Sequence, residues 1–246
     1  MTLTETEKKR LLGIAQDLIR LESDAMRGQE GAAGNYIDTF YRRLGIKAKR
    51  QVCDGDRANI VVRIPGKDRG RCMMYSGHID TVPTGDEKLW KSDPLDPQIR
   101  EGRLYGRGSC DMKGSVACAM YAAEYMQNHH LQPEMDLLFV YDVDEENTNL
   151  GLRRYLETPE RTDFIIVGEP TNLRLAVGHR GVMAFTVTIQ GKSCHAGQAE
   201  LGRNAIYAAA DVIDAVRRLN KELERISQEH LGSPSIHVTQ IQGGSK

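Results

Sequence analysis

The sequence is most constrained by an ordered series of imidazole and carboxylate side chains, each placed where an apolar run ends. His78 and Asp80 follow Cys72-Met73-Met74-Tyr75-Ser76-Gly77, Asp111 opens Met112-Lys113-Gly114-Ser115, Glu145 and Glu146 follow Leu137-Leu138-Phe139-Val140-Tyr141, and Glu169 follows Phe164-Ile165-Ile166-Val167-Gly168. In an open α/β sheet the carboxyl ends of the strands converge on one crevice, so side chains distant in sequence meet there. Imidazole and carboxylates gathered in such a crevice suit Zn2+ and similar divalent ions.

The remaining segments read as elements that cover or extend that sheet. Leu11, Leu12, Ile14, Ala15, Leu18 and Ile19 form a stripe at helical spacing, and Tyr36, Ile37, Phe40 and Leu44 form a second one that Gly45 stops. Runs at Ile46 to Val52 and Ala58 to Ile64, separated by Asp54-Gly55-Asp56, read as strands, and Gly114 to Met126 reads as a buried helix. After Glu169-Pro170 the pattern changes. Val182 to Ile189 is an extended run, Arg203 to Glu229 a long amphipathic helix, and Ile236 to Ile241 a last strand. The expectation is a larger, ligand-bearing domain at 1–175 and a second, smaller β-α-β domain at 176–246.

Composition limits the function classes. With 246 residues, 40% of them hydrophobic, the chain can bury one substantial core or two modest ones. A formal net charge of -1 with interleaved signs argues against a nucleic-acid or membrane surface. No apolar stretch reaches membrane-spanning length and the first residues lack a leader pattern, so the expected location is the cytoplasm. Cys53, Cys72, Cys110, Cys118 and Cys194 lack CxxC spacing and are expected to be reduced thiols.

Each candidate has a functional and an ordinary reading. Asp80, two residues beyond His78, points the same way in extended geometry and can hold the second ring nitrogen of a ligating histidine, although H-x-D tripeptides are often accidental. Asp111 can bridge two cations or simply cap the following helix. Of Glu145 and Glu146, one can bind metal while the other stays free as a proton acceptor, or both can belong to a solvated acidic turn with Asp142 and Asp144. Glu169 is equally a ligand or a loop acid. The ordered conjunction, not any single residue, points to a hydrolase with a pair of metals.

The segments Ser76-Gly77-His78-Ile79-Asp80-Thr81-Val82-Pro83, Gly106-Arg107-Gly108-Ser109-Cys110-Asp111-Met112-Lys113-Gly114, Asp144-Glu145-Glu146, Gly168-Glu169-Pro170 and Ser193-Cys194-His195-Ala196-Gly197 resemble the metallopeptidase family of acetylornithine deacetylase, succinyl-diaminopimelate desuccinylase, aminoacylase and glutamate carboxypeptidase. The resemblance implies that 1–175 is an α/β catalytic domain with a mostly parallel sheet flanked by helices, and that 176–246 is a smaller, partial α+β lid or dimerisation domain. It implies that His78, Asp111 and Glu169 hold one Zn2+, that Asp111 and Glu146 hold a second, and that Co2+ or Mn2+ can substitute. Glu145 is then the general base, Asp80 the partner of His78, and His195 a lid histidine that stabilises the oxyanion, often across a homodimer interface. It also implies a cis bond between Asp111 and Met112.

The implied substrates are N-acyl amino acids or short peptides, cleaved at the amide; a dipeptidase or carboxypeptidase is the alternative within the family. Thr148 and Ala199 depart from the family's usual Gly and Pro. Family members continue past a segment like Thr239 to Gly244, and the continuation supplies a last metal-binding histidine. One complete zinc site and one underligated site are therefore expected here. A truncated, catalytically impaired relative that binds zinc or a partner is the competing expectation, because an unfinished sheet leaves backbone groups unpaired.

Overall fold

The computed structural model describes residues 2–244; Met1, Ser245 and Lys246, at the limits of the two expected domains, lie outside them. The chain divides into two compact units, Met1–Leu173 and Arg174–Lys246.

In the first unit, helix α1 (Glu5–Arg20) starts at a capping box in which the Thr4 hydroxyl accepts from the Glu7 N–H and the Glu7 carboxylate accepts from the Thr4 N–H. Helix α2 (Gly31–Arg43) ends where Gly45 takes a left-handed conformation, as the spacing predicts. Then come β1 (Ala48–Asp54), β2 (Arg57–Ile64), β3 (Asp68–His78), the short hairpin β4 (Gln98–Arg100) and β5 (Arg103–Tyr105), helix α3 (Lys113–Asn128), β6 (Met135–Asp142), helix α4 (Leu150–Leu156) and β7 (Phe164–Val167). Among the described residues β1, β2, β6, β3 and β7 lie side by side in that order in one sheet.

The sheet is mixed rather than mostly parallel. Strands β3, β6 and β7 run parallel, whereas the tight turn after β1 forces β2 back along it and leaves β2 antiparallel to β6 as well. Because the three parallel strands end together, His78, the segment after Asp142 and the segment after Val167 all emerge at one edge.

Alternation along the strands fills two cores. Ile60, Val62, Phe139 and Tyr141 face α1, α2 and α3, where they meet Ile14, Leu18, Ile37, Tyr41, Val116 and Met120; Val61, Met74, Leu138 and Val140 face the other way, with Tyr155 of α4. Covered on both faces, β2 and β6 are apolar through their middles, with charged residues toward their ends. Strand β7 differs: Phe164, Ile165, Ile166 and Val167 are all more than half exposed.

The second unit holds a 3-10 helix at Ala196–Leu201 and helix α5 (Ala205–Leu223), whose first N–H groups at Ile206 and Tyr207 bond to the Asn204 side chain. Helix α5 stops six residues before the expected Glu229, because Arg225 and Ile226 bond three residues back and tighten the last turn. The strands expected at Val182 to Ile189 and Ile236 to Ile241 do not form among the described residues. Alternation makes a segment able to pair, but a strand exists only where a partner supplies the ladder.

In the larger core the Tyr41 and Tyr141 hydroxyls bond to each other at 2.5 Å, and burial pushes both phenols far up, keeping them protonated. Tyr41→Phe should destabilise the protein by about 1–3 kcal/mol, because it orphans a buried hydroxyl. Replacing both tyrosines by Phe should cost less than the sum of the single changes. Urea unfolding of the two single variants and the double variant measures this coupling; additive effects would refute it.

Candidate metal centre

Three segments converge on Met112. The His78 N–H donates to the Met112 Sδ at 3.3 Å, and Cβ atoms built at Gly77 and Gly168 would fall 2.6 and 2.7 Å from the Met112 Cε. A side chain at either position would have to displace the Met112 methyl and the Tyr75 hydroxyl, so glycine at 77 and 168 suits the close approach of β3 and the end of β7. Met112 is fully buried and its bond to Asp111 is cis. Asp111 does not cap α3: the cap residue is Met112, which makes no side-chain cap bond, and the Asp111 carboxylate turns to His78 instead.

His78 is buried, with its Nδ1 3.0 Å from the backbone carbonyl of Asp80. A carbonyl only accepts, so Nδ1 carries the proton, and Nε2 of the neutral ring presents a lone pair. That lone pair faces Asp111 at 3.2 Å, Glu169 at 3.6 Å and Glu145 at 4.0 Å. Such a meeting of acceptors is relieved by a proton on Nε2, which the surrounding acids favour, or by a cation that takes its place. One imidazole nitrogen among carboxylate oxygens is a donor set that fits a divalent ion of the zinc, cobalt or manganese type.

Two groups of ligand atoms lie within 4.8 Å of one another: His78 with Asp111 and Glu146, and His78 with Glu145 and Glu169. This partition differs from the expected one, in which Asp111 joins Glu169 and Glu145 stands apart. Both groups share His78 because Nε2 is the nitrogen on which the surrounding acids converge. All five of these residues are brought together.

Asp80 does something the H-x-D spacing does not reveal. Its backbone carbonyl, not its carboxylate, holds the histidine; the carboxylate stands 3.6 Å from Nδ1 and accepts the N–H of Glu145 at 3.2 Å and of Glu146 at 3.0 Å. One buried side chain thus anchors the backbone of the acidic pair while its main chain fixes the ring.

The electrostatics report crowding. Burial raises the pKa of Glu146 and Glu169, and neighbouring acids raise both further, against the opposing effect of His78. For His78 burial disfavours the charged ring, but Asp80, Glu169, Glu145 and Asp111 outweigh it and raise its pKa. Burial also pushes the Asp142 carboxyl up to about 7 and the Lys113 ammonium down to about 7. Lys113 donates to the Leu21 carbonyl at 2.7 Å. Sequence pattern marks neither residue, since their burial follows from the packing of neighbouring elements.

His195 lies in the second unit and heads the 3-10 turn at Ala196–Leu201, where its Nδ1 accepts from the Gly197 N–H at 3.1 Å. In the neutral ring Nε2 therefore carries the proton and is a donor. The described residues include all five cysteines, and none is in a disulfide. No helix among them is long and apolar enough to cross a membrane.

Parallel strands β3, β6 and β7 bring His78, Glu145, Glu146 and Glu169 to one edge, and the loop before α3 adds Asp111, the arrangement of an α/β protein with a candidate metal site at its strand ends. Residues 74–242 match the model of peptidase family M20/M25/M40, and the chain belongs to that family. It is 32% identical over 250 residues to a succinyl-diaminopimelate desuccinylase of Cupriavidus necator, covering 95% of this chain and 64% of that protein. A similar relative from Parvibaculum lavamentivorans is 32% identical over 95% of this chain and 60% of its own length, so the chain spans less than two thirds of these relatives. Among solved structures, a tripeptidase of Staphylococcus aureus superposes with a TM-score of 0.66 at 19% identity, over 97% of this chain and 62% of that one.

The Asp80 brace gives a test. Asp80→Asn turns an NH2 toward one of the two backbone N–H groups whichever way the amide lies. Affinity for Co2+ should fall by about 10–100-fold, the range for partners that orient ligands. Calorimetric titration checks this, with circular dichroism to confirm the fold; unchanged affinity in a folded variant would refute the brace.

Proposed function

We propose that the chain is the metal-binding portion of a zinc-dependent amide hydrolase that removes the acyl group from N-acyl amino acids, with N-succinyl amino acids as the substrate class. The observation that supports this reading is the placing of adjacent Glu145 and Glu146 beside His78 Nε2, which leaves one carboxylate available for an ion and one for a proton. The desuccinylase name of relatives at 32% identity supports the acyl class.

In this reading His78, Asp111 and Glu169 hold one zinc, and Asp111 with Glu146 holds part of a second. Bound zinc supplies the Lewis acidity that polarises the amide carbonyl and makes water acidic. Glu145 takes a proton from the attacking water on its carboxylate and returns it to the departing amine nitrogen, so one group serves both halves of the reaction. Asp80 keeps Glu145 within reach by holding its N–H. His195 donates from Nε2 to the oxyanion, and the segments at 1–175 and 176–246 act as catalytic domain and lid.

A homodimer through the lid fits the exposure of Val182, Met183, Phe185 and Ile241, apolar side chains that another copy would cover. A reducing compartment such as the cytoplasm suits the five free cysteines.

Glu145→Gln should lower hydrolysis of N-succinyl and N-acetyl amino acids by about 100- to 10,000-fold while zinc content stays constant, because the amide keeps the shape but accepts no proton. Glu146→Gln should instead lower zinc affinity. Metal analysis and hydrolysis assays of both variants separate base from ligand. Undiminished turnover in Glu145→Gln would overturn the mechanism, and cleavage of dipeptides in preference to N-acyl amino acids would overturn the substrate class.

A further inference from the structure

The turn that carries Glu145 and Glu146 is built around the carboxylate of Asp144, which stands at φ +65°. One oxygen of Asp144 accepts from the Thr148 N–H at 3.1 Å, the Thr148 hydroxyl and the Leu150 N–H at 3.4 Å. The other accepts from the Asn147 side-chain amide at 3.2 Å and from Arg57 Nη2 at 2.6 Å. Residues 144–150 are thus wrapped on one buried side chain, and Arg57 is the contact that ties it to the sheet.

Arg57 reaches this turn through strand register. Ile60 faces Tyr141 across the antiparallel pair, so three residues back along β2 and three forward beyond β6 set Arg57 opposite Asp144. The same guanidinium donates from Nε and Nη2 to both oxygens of Glu30 at 2.9 and 2.6 Å. Glu30 is fully buried and precedes α2 without capping it, so its side chain is spent on Arg57. Burial raises the Glu30 pKa despite this partner; at Asp144, burial is outweighed by bonds from Thr148 and Arg57 and the pKa falls. The planar fork holds Glu30 through two parallel N–H bonds while also reaching Asp144; an ammonium can touch both acids but cannot reproduce the bidentate, oriented grip.

We propose that Arg57 is a positioning residue for the Glu145–Glu146 pair: by clamping Asp144 to Glu30 it fixes the turn that presents both carboxylates, and the affinity of the site for a divalent cation depends on it. The inference rests on the metal reading above and adds a residue to it that the family-type motifs do not contain. Asp80 holds the pair from one side through the N–H groups of Glu145 and Glu146, and the clamp holds the preceding residue from the other. With both in place the two side chains start from fixed backbone positions, which limits the ordering needed when a cation binds.

The same strand offers a control, more exposed than Arg57 and remote from the acids. Arg63 also bridges two carboxylates, Asp136 at 2.7 Å and Glu160 at 2.5 Å, but toward the opposite end of β2. Zn2+ is titrated against a competing chelator with the wild-type chain, R57K and R63K, and the fold of each is followed by circular dichroism and thermal midpoint. R57K is expected to bind Zn2+ about 10–100-fold more weakly, while R63K binds within about twofold of wild type even where its midpoint falls. Equal affinity in R57K and wild type, or an equal loss in R63K, overturns the clamp. A wild-type chain that binds no Zn2+ overturns the metal reading and the clamp together, and so is distinguished from failure of the clamp alone. Should R57K not fold, E30Q, which removes the charge and keeps the shape, is expected to weaken Zn2+ binding in the same direction; unchanged affinity there overturns the proposal.

Discussion

Repulsion among the carboxylates of Asp80, Asp111, Glu145, Glu146 and Glu169 around the single imidazole of His78 is the constraint to which the rest of the first unit answers. Two like charges about 4 Å apart near a protein surface repel by roughly 4 kcal/mol, more than the roughly 0.5–1.5 kcal/mol that an ordinary hydrogen bond contributes. No single contact can hold such a cluster. The fold answers by spending backbone N–H groups on the innermost acid, Asp80, and a guanidinium on the acid behind the pair, Asp144. The remaining charge can be met by a cation, because the Asp80 carbonyl fixes Nδ1 of His78 and turns Nε2 toward the acids.

Packing makes this arrangement reproducible. Met112 sits where β3, the start of α3 and the end of β7 meet, and the glycines at 77 and 168 allow all three to close on it. Side chains at either glycine would crowd the Met112 methyl and the Tyr75 hydroxyl, so the close packing beneath the charged edge uses two missing Cβ atoms. Behind them, the Tyr41–Tyr141 pair and the aromatic ring of Phe139 tie α2 to β6, the strand that delivers the acidic turn.

The two arginine clamps divide the antiparallel pairing of β2 with β6 between them. Arg57 serves the end that carries the ligands and Arg63 the end that does not. Removing Arg57 strands the buried Glu30, whereas Asp136 beside Arg63 keeps Arg69 and Glu160 reaches solvent, so the costlier loss is at the clamp that adjoins the acids. This separates the role of an arginine in holding the sheet from its role in presenting the site.

Much of the fold was legible in the sequence because apolar runs and helical stripes state which segments can be buried: α1, α2, α3 and the strands ending at His78, Asp142 and Val167 follow from periodicity and from Gly45 as a stop. The candidate residues were legible for the related reason that a polar residue at the end of an apolar run has little purpose in a core. What pattern could not supply was partnership. The antiparallel place of β2, the unpaired state of Val182 to Ile189 and Ile236 to Ile241, the capture of His78 by the Asp80 carbonyl rather than its carboxylate, and the clamp from Glu30 through Arg57 to Asp144 all join residues whose separation carries no signal. Sequence determined which side chains this protein brings to the edge of its sheet, because burial is a property of each segment; only the tertiary structure decided how they are held there, because register and hydrogen-bond partners are properties of pairs.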